Sequence, residues 1–317
     1  MVEIAGRSVK ITPPSGAEWL ISDFTSWKRA PVRLSGPVVY ELPRRAYFEY
    51  AFLDAGGRPF ADPDNPRRAD NPWYEYARAA RLPGAIELPR YQDALLGAVE
   101  RVAIAGNRLL IYEPPERPRS CLLVFDGVAY YRIGRLAHAA EKLWQAGQTV
   151  PLRIVFSEPR QREQEYRFSD ELRRFALEGL PEVQKTFGGP ECEAALGASL
   201  GGLAALWLAL EYSDLFRRVA AQSPALLAIP GGSDAHGDPE WLKERYARAG
   251  RLPERLAVQT GLLEWLLPPV RRFAAVLADL GVAHDYREYP SGHNWHTWRL
   301  GIEEVLIELF GVDLEVE

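Results

Sequence analysis

The run Gly197-Ala198-Ser199-Leu200-Gly201-Gly202 restricts the fold of this chain more than any other stretch. Residues 193–196 before it read as an apolar strand, and residues 201–210 after it as a helix carrying Leu203, Leu206, Trp207 and Leu210. Glycines two positions before and two after the serine carry no Cβ, so strand and helix can approach closely and the serine projects from a sharp turn. A serine presented that way is suited to attack a carbonyl carbon. The surroundings agree. From Val99 onward, apolar runs at 121–125, 152–156, 193–196 and 255–259 alternate with helical stretches such as 135–146, 170–178 and 201–210. That alternation predicts a mostly parallel sheet with helices on both faces. Residues 102–105 and 108–112 predict a hairpin around Gly106-Asn107.

The first ninety-odd residues follow another pattern. Residues 18–21, 38–42 and 46–53 read as short strands, separated by Gly-, Pro- and Asp-rich turns at 23–27, 55–58 and 61–66. Short strands with frequent turns predict a small β-sandwich. A length of 317 residues favours two domains. The pattern divides them at 1–94 and 95–317, with 88–93 as linker. A hydrophobic fraction of 47% excludes a disordered chain. A net charge of -5 argues against nucleic acid as the main partner. Lys10, Lys28, Lys142, Lys185 and Lys243 are the only lysines, and arginine supplies the other cations. This excess fits genome base composition or an anionic ligand held by planar guanidinium forks. Cys121 and Cys192 sit in apolar runs and read as buried free thiols. The N-terminus lacks an apolar core of signal-peptide length, and no stretch reaches that of a membrane helix, so a cytoplasmic location is expected.

A serine hydroxyl needs a neighbouring base. Among the five histidines, His138 and His236 do not follow the last strand, and His284 lies inside it. His293 follows that strand in the loop Pro290-Ser291-Gly292-His293-Asn294-Trp295, so it is the expected base, with His296 as runner-up. An i, i+3 metal pair of His293 and His296 lacks an accompanying carboxylate or cysteine cluster, and no metal is expected. The orienting acid should follow the preceding strand, and Glu264 in its exit loop fits. Asp279 falls on a helix and Asp285 within a strand. Leu200, at the start of the helix, and Val128, after the strand ending Phe125-Asp126-Gly127, are the expected N–H donors to an oxyanion. Asp126 itself reads as a structural turn residue.

The N-terminal turn Asp23-Phe24-x-x-Trp27, the run Tyr47-Phe48-Glu49-Tyr50-Ala51-Phe52-Leu53-Asp54, and Asp62-Pro63-Asp64-Asn65-Pro66 resemble the immunoglobulin-like domain that precedes several sugar-processing enzymes and the cytoplasmic enterochelin esterases. With Phe125-Asp126-Gly127, the serine run, Ala221-Gln222-Ser223 and Ser291-Gly292-His293-Asn294-Trp295-x-x-Trp298-Arg299, nearly the whole chain resembles the enterochelin esterase group of α/β-hydrolases. The segment Arg162-x-x-Glu165 followed by Phe175 to Val183 adds to the likeness. The resemblance implies a Ser199–His293–Glu264 triad, an oxyanion hole at Leu200 and Val128, and an ester substrate that is a catecholate siderophore whose cleavage releases iron.

Arg162 and Trp295 stand as substrate-binding residues, with Arg160 and Arg167 as further arginine candidates; no cofactor is implied. Aromatic residues that the group often carries after Gln-Ser are missing from 223–229, which leaves a sugar or thiol ester open. A glucan-binding protein using Trp19, Trp27 and Trp73 is a third reading, set against the bland one that these aromatics fill the core.

Overall fold

The computed structural model describes residues 1–232 and 240–312. The chain divides into two compact units: Met1–Pro89 with 260–267 and 288–300, and 90–259 with 268–287 and 301–317. The loops carrying Glu264 and His293 thus cluster with the N-terminal unit, a grouping that division at 94/95 does not anticipate.

The first unit is all-β in its N-terminal part. One sheet joins Val2–Ala5, Ser8–Ile11 and Val38–Glu41 in antiparallel register. A second centres on Tyr47–Leu53, which pairs with Trp19–Ser22, Pro59–Phe60 and Arg78–Arg81. Every residue of Tyr47–Leu53 is buried, because the strand alternates between two covered faces. Phe48, Tyr50 and Phe52 join Val9, Ile11, Leu20 and Leu42 in the core shared by the two sheets. Ala51 and Leu53 face a second cluster with Ile21, Trp27 and Ala77. Trp27 is buried and Trp19 half-buried, while Trp73 is 46% exposed. These three do not make an exposed aromatic platform.

The second unit is a mixed sheet whose strands are β1 (Ala98–Ile104), β2 (Asn107–Glu113), β3 (Ser120–Val124), β4 (Leu152–Glu158), β5 (Cys192–Ala198), β6 (Arg218–Gln222), β7 (Arg255–Gly261) and β8 (His284–Tyr289). Their order is β8-β7-β6-β5-β3-β4-β2-β1. The ladder from β4 through β3, β5 and β6 to β7 is parallel, and the β1–β2 hairpin joins β4 antiparallel. This is the α/β-hydrolase sheet.

Two local expectations shift. The hairpin turns one residue early, at Ala105-Gly106, where both residues have positive φ (48° and 77°) as a tight two-residue turn requires. The helix expected at 170–178 continues to Phe187 through a wide π turn at Phe175–Gly179. Pro181 supplies the reason: it has no N–H for the carbonyl four residues back, so the preceding turn widens.

Candidate active site

Ser199 sits between the end of β5 and the helix Leu200–Glu211, with φ 56° and ψ -121°. A side chain held there is strained by about 1–3 kcal/mol, which the surroundings must offset. Its N–H donates to the Gln222 carbonyl at 2.9 Å, and its carbonyl accepts from Leu203 and Ala225, both at 3.0 Å. Bare Cα atoms are required on either side. A Cβ on Gly197 would lie 2.2 Å from the Gly201 backbone, and one on Gly201 would lie 3.0 Å from Phe125 Cβ. Beneath the turn runs a buried amide relay. Tyr130 donates to Gln222 Oε1 at 2.7 Å, Gln222 to Gln259 Oε1 at 2.8 Å, and Gln259 to the Gly301 carbonyl at 3.0 Å.

The Leu200 amide opens the helix after Ser199, where the first N–H groups have no partner within the helix. The Val128 amide, the expected second donor, donates to Glu158 Oε1 at 2.5 Å. Burial pushes the Glu158 carboxyl above its usual range, and the nearby Asp126 charge adds to the rise. Asp126, at φ 53°, starts the helix Gly127–Arg132 and receives a two-pronged contact from Arg162, Nε and Nη2 each at 2.7 Å. Arg162 thereby braces the turn that carries Val128. Trp295 is 1% exposed and lies within an aromatic group, 5.0 Å from Trp298 and 6.1 Å from Trp73. Arg160 bonds the Gly106 carbonyl, and Arg167 pairs with Glu163.

Glu264 and His293 are brought together. Glu264 Oε2 and His293 Nδ1 are 2.5 Å apart, with the Glu264 side chain fully buried. Thr260 Oγ1 and the Gly261 N–H donate to Glu264 Oε1 at 2.6 and 2.5 Å. Burial alone would raise this carboxyl, but His293 and these two donors outweigh it and hold it below the usual range. Trp265 and Trp298 flank the imidazole at 4.6 and 5.3 Å.

The histidine loop is fixed by residues that the sequence does not mark as functional. Asn294 Oδ1 accepts from Ser291 Oγ and the Thr297 N–H, both at 3.1 Å, and Thr297 Oγ1 donates to the Gly292 carbonyl at 2.6 Å. Asn294 Nδ2 donates to Asp23 Oδ2 at 2.8 Å, and that oxygen also accepts the Glu49 N–H at 2.7 Å. Trp27 Nε1 reaches Asp23 Oδ1 at 3.0 Å. Burial pushes Asp23 up to about 6, although these donors and the His293 charge pull it down. Glu49, two residues from Tyr47 on the same face, is pushed up to about 8 by burial and then by Asp23. The Asp23-x-x-x-Trp27 turn was the available signal; its spacing reads as a turn, while its contact with the His293 loop needs the third dimension.

The other histidines have separate places. His138 is buried in Leu136–Gln145, and His284 opens β8 with Nδ1 against the Val282 carbonyl at 2.8 Å. His296 is buried and stacked on Tyr47. His236 lies outside the described residues. Asp279 ends the helix Leu267–Asp279, and Asp285 pairs with Arg287. Among the described residues no group of three or more His, Cys, Asp or Glu side chains could hold a metal, and no helix is long and apolar enough to cross a membrane.

Comparison with known proteins follows the same lines. A family model described as putative esterase matches residues 108–309. An uncharacterized protein of Bacillus subtilis (strain 168), YjcH, is 23% identical over 215 residues, 60% of this chain and 86% of the relative. The enterobactin esterase FES of Shigella flexneri, solved with 2,3-di-hydroxy-N-benzoyl-serine, superposes with a TM-score of 0.73 at 17% identity, covering 95% of this chain and 92% of that one. Ferric enterobactin esterase from Salmonella typhimurium gives 0.71 at 18% identity, covering 95% and 93%. The S-formylglutathione hydrolase FrmB of Staphylococcus aureus gives 0.53 at 16% identity, covering 70% and 98%. With an α/β-hydrolase sheet and a family match that spans most of that sheet, the chain belongs to the putative esterase family and is an ester hydrolase.

Proposed function

We propose that this ester hydrolase works through Ser199, His293 and Glu264 and cleaves the ester backbone of a catecholate siderophore in the cytoplasm, releasing iron. The observation that carries the catalytic part is the buried Glu264–His293 pair, in a chain whose strained serine turn follows β5. Ser, Glu and His follow one another along the chain as this fold requires. Ser199 Oγ attacks the ester carbonyl carbon while His293 Nε2 takes the hydroxyl proton. Glu264 holds Nδ1–H and stabilises the imidazolium. The oxyanion is received by the Leu200 N–H and, once Glu158 turns aside, by the Val128 N–H. His293 then returns its proton to the departing alkoxide, and water, activated by the same imidazole, releases the acid from Ser199.

The siderophore part is supported by the likeness along nearly the whole chain to esterases solved with enterobactin or its fragments. The cytoplasmic part is supported by Cys121 and Cys192, which are register partners on β3 and β5 and stand as free thiols. A sugar or thiol ester is the second reading, favoured by the segment after Ser223, where apolar Leu226 and Ala228 are fully buried. In either reading the β-sandwich spans 1–94 and the hydrolase 95–317.

The deciding experiment labels the chain with a fluorophosphonate, then compares hydrolysis of a catecholate triester, ferric and iron-free, with short p-nitrophenyl esters. Labelling at Ser199, lost in Ser199→Ala, together with preference for the triester is the expected result. Activity confined to the short esters would remove the siderophore, and labelling that persists in Ser199→Ala would remove the triad.

A further inference from the structure

A cavity of about 80 Å³ lies within the first unit, and its walls include Arg67, Arg68, Arg81 and Arg299. The ion pairs Arg299–Asp70 at 3.4 Å and Arg81–Glu87 at 3.1 Å use carboxylates that are 71% and 77% exposed, so water screens them heavily. Among the described residues no ion pair engages Arg67 or Arg68. His296 forms another part of the wall. It is 4% exposed, with its ring stacked on Tyr47 at 4.0 Å, and its Nδ1 has no hydrogen-bond partner. The ring donates to the backbone of Ile86, which leaves Nε2 as the bonded nitrogen and Nδ1 as a bare lone pair in the neutral form. Burial, then Arg81 and Arg299, depress His296 to about 3. Arg81 Nε is likewise buried without a partner.

We propose that this cavity is a binding site for a phosphate group that keeps one proton, as hydrogen phosphate or as a singly protonated monoester, held by Arg67, Arg68, Arg81 and Arg299 with its P–O–H directed to His296 Nδ1. The volume admits several waters or one tetrahedral oxyanion in their place. Asp70, itself on the wall, pairs with Arg299, and Glu87 pairs with Arg81; water can satisfy Nδ1, but it does not offset the charges of Arg67 and Arg68 that remain. A doubly ionised oxyanion without a proton offers Nδ1 nothing, whereas hydrogen phosphate offers acceptors to the arginines and a donor to the imidazole. Guanidinium forks match phosphate oxygens in pairs. The site is separate from Ser199 chemistry and does not rest on the siderophore reading.

Calorimetric titration of the full chain with inorganic phosphate, against chloride at constant ionic strength and pH 7, tests it. One-site saturation is expected, at least tenfold weaker in Arg68→Ala, whose exposed side chain leaves the fold intact, and unchanged in Ser199→Ala. The His296 Nδ1 resonance should shift with the same isotherm, and sulfate should bind at least tenfold more weakly. Methyl phosphate compared with phosphate at about pH 5.5, where each carries a P–O–H, assigns the site to a phosphorylated metabolite if it binds as well and to the free ion if it is rejected. Absence of saturation, equal affinity in Arg68→Ala, equal affinity for sulfate, or an unmoved His296 resonance would each overturn the proposal.

Discussion

At Glu264 three donors converge on one buried carboxylate, and each lowers its affinity for a proton. The consequence is a charge that persists while His293 changes protonation, as an orienting acid must. Replacing it by glutamine keeps the shape but offers Nδ1–H a weaker acceptor or, flipped, a donor. In Glu264→Gln, kcat should fall by about 10²–10⁴ with KM little changed, measured on any ester that the wild type cleaves. Val128 presents the opposite case, an amide expected to meet an oxyanion but bonded to Glu158. Glu158→Ala should free it and raise kcat on a small activated ester by about tenfold or more, given that one oxyanion donor is worth about 10²–10³. An unchanged kcat would place the second donor elsewhere.

At the scale of elements, the His293 loop is held by its own contacts among Ser291, Gly292, Asn294 and Thr297 and is anchored from outside by the turn at Asp23. Asp23 accepts from Asn294, Glu49 and Trp27, and its carboxyl packs where a Cβ on Gly292 would stand, 2.0 Å from Cγ. Gly292→Ala should cost about 1–3 kcal/mol by overpacking, read from denaturant unfolding. Asp23→Asn leaves room but turns an amide N–H toward one of these donors. It should lower kcat several-fold while Ser199 still reacts with a fluorophosphonate; unchanged kcat would mean that the loop holds itself. The serine turn was legible because all its constraints are local: three glycines, a strand before, a helix after. The Asp23 clamp was not, since its partners are 271 residues apart in sequence. Nor was the pairing of Arg162 with Asp126, because an arginine's partner is chosen by packing and not by spacing.

Across the whole molecule, a mostly parallel sheet follows from alternation of apolar runs and helices, so the hydrolase sheet and the β-rich beginning are legible in the sequence, whereas the strand order is not. Val2–Ala5 and Ser8–Ile11 are not legible there, because four-residue strands alternate too briefly to stand out. Nor is the joint burial of two carboxyls legible in sequence, since it depends on packing in three dimensions. Asp23 and Glu49 bind protons more tightly folded than unfolded, so their contribution to stability is full below about pH 4 and is lost as pH rises through about 6 and 8. His296 acts with the opposite sign. Its depressed value favours the folded state above about 6.5 and loses that stability as pH falls toward 3. Glu264 likewise contributes above its unfolded value of about 4.5 and loses its share only in more acid solution. Between pH 4 and 6.5 these slopes oppose one another, but from 6.5 to 8.5 Glu49 stands nearly alone. The melting temperature should therefore fall over that upper window in the wild type. Glu49→Gln carries no titrating proton and, whatever constant penalty the amide brings against Tyr47 and Asn71, should show a flatter profile. Parallel wild-type and Glu49→Gln curves from pH 6.5 to 8.5 would mean that the carboxyl pair is ionised throughout and that another group sets the slope.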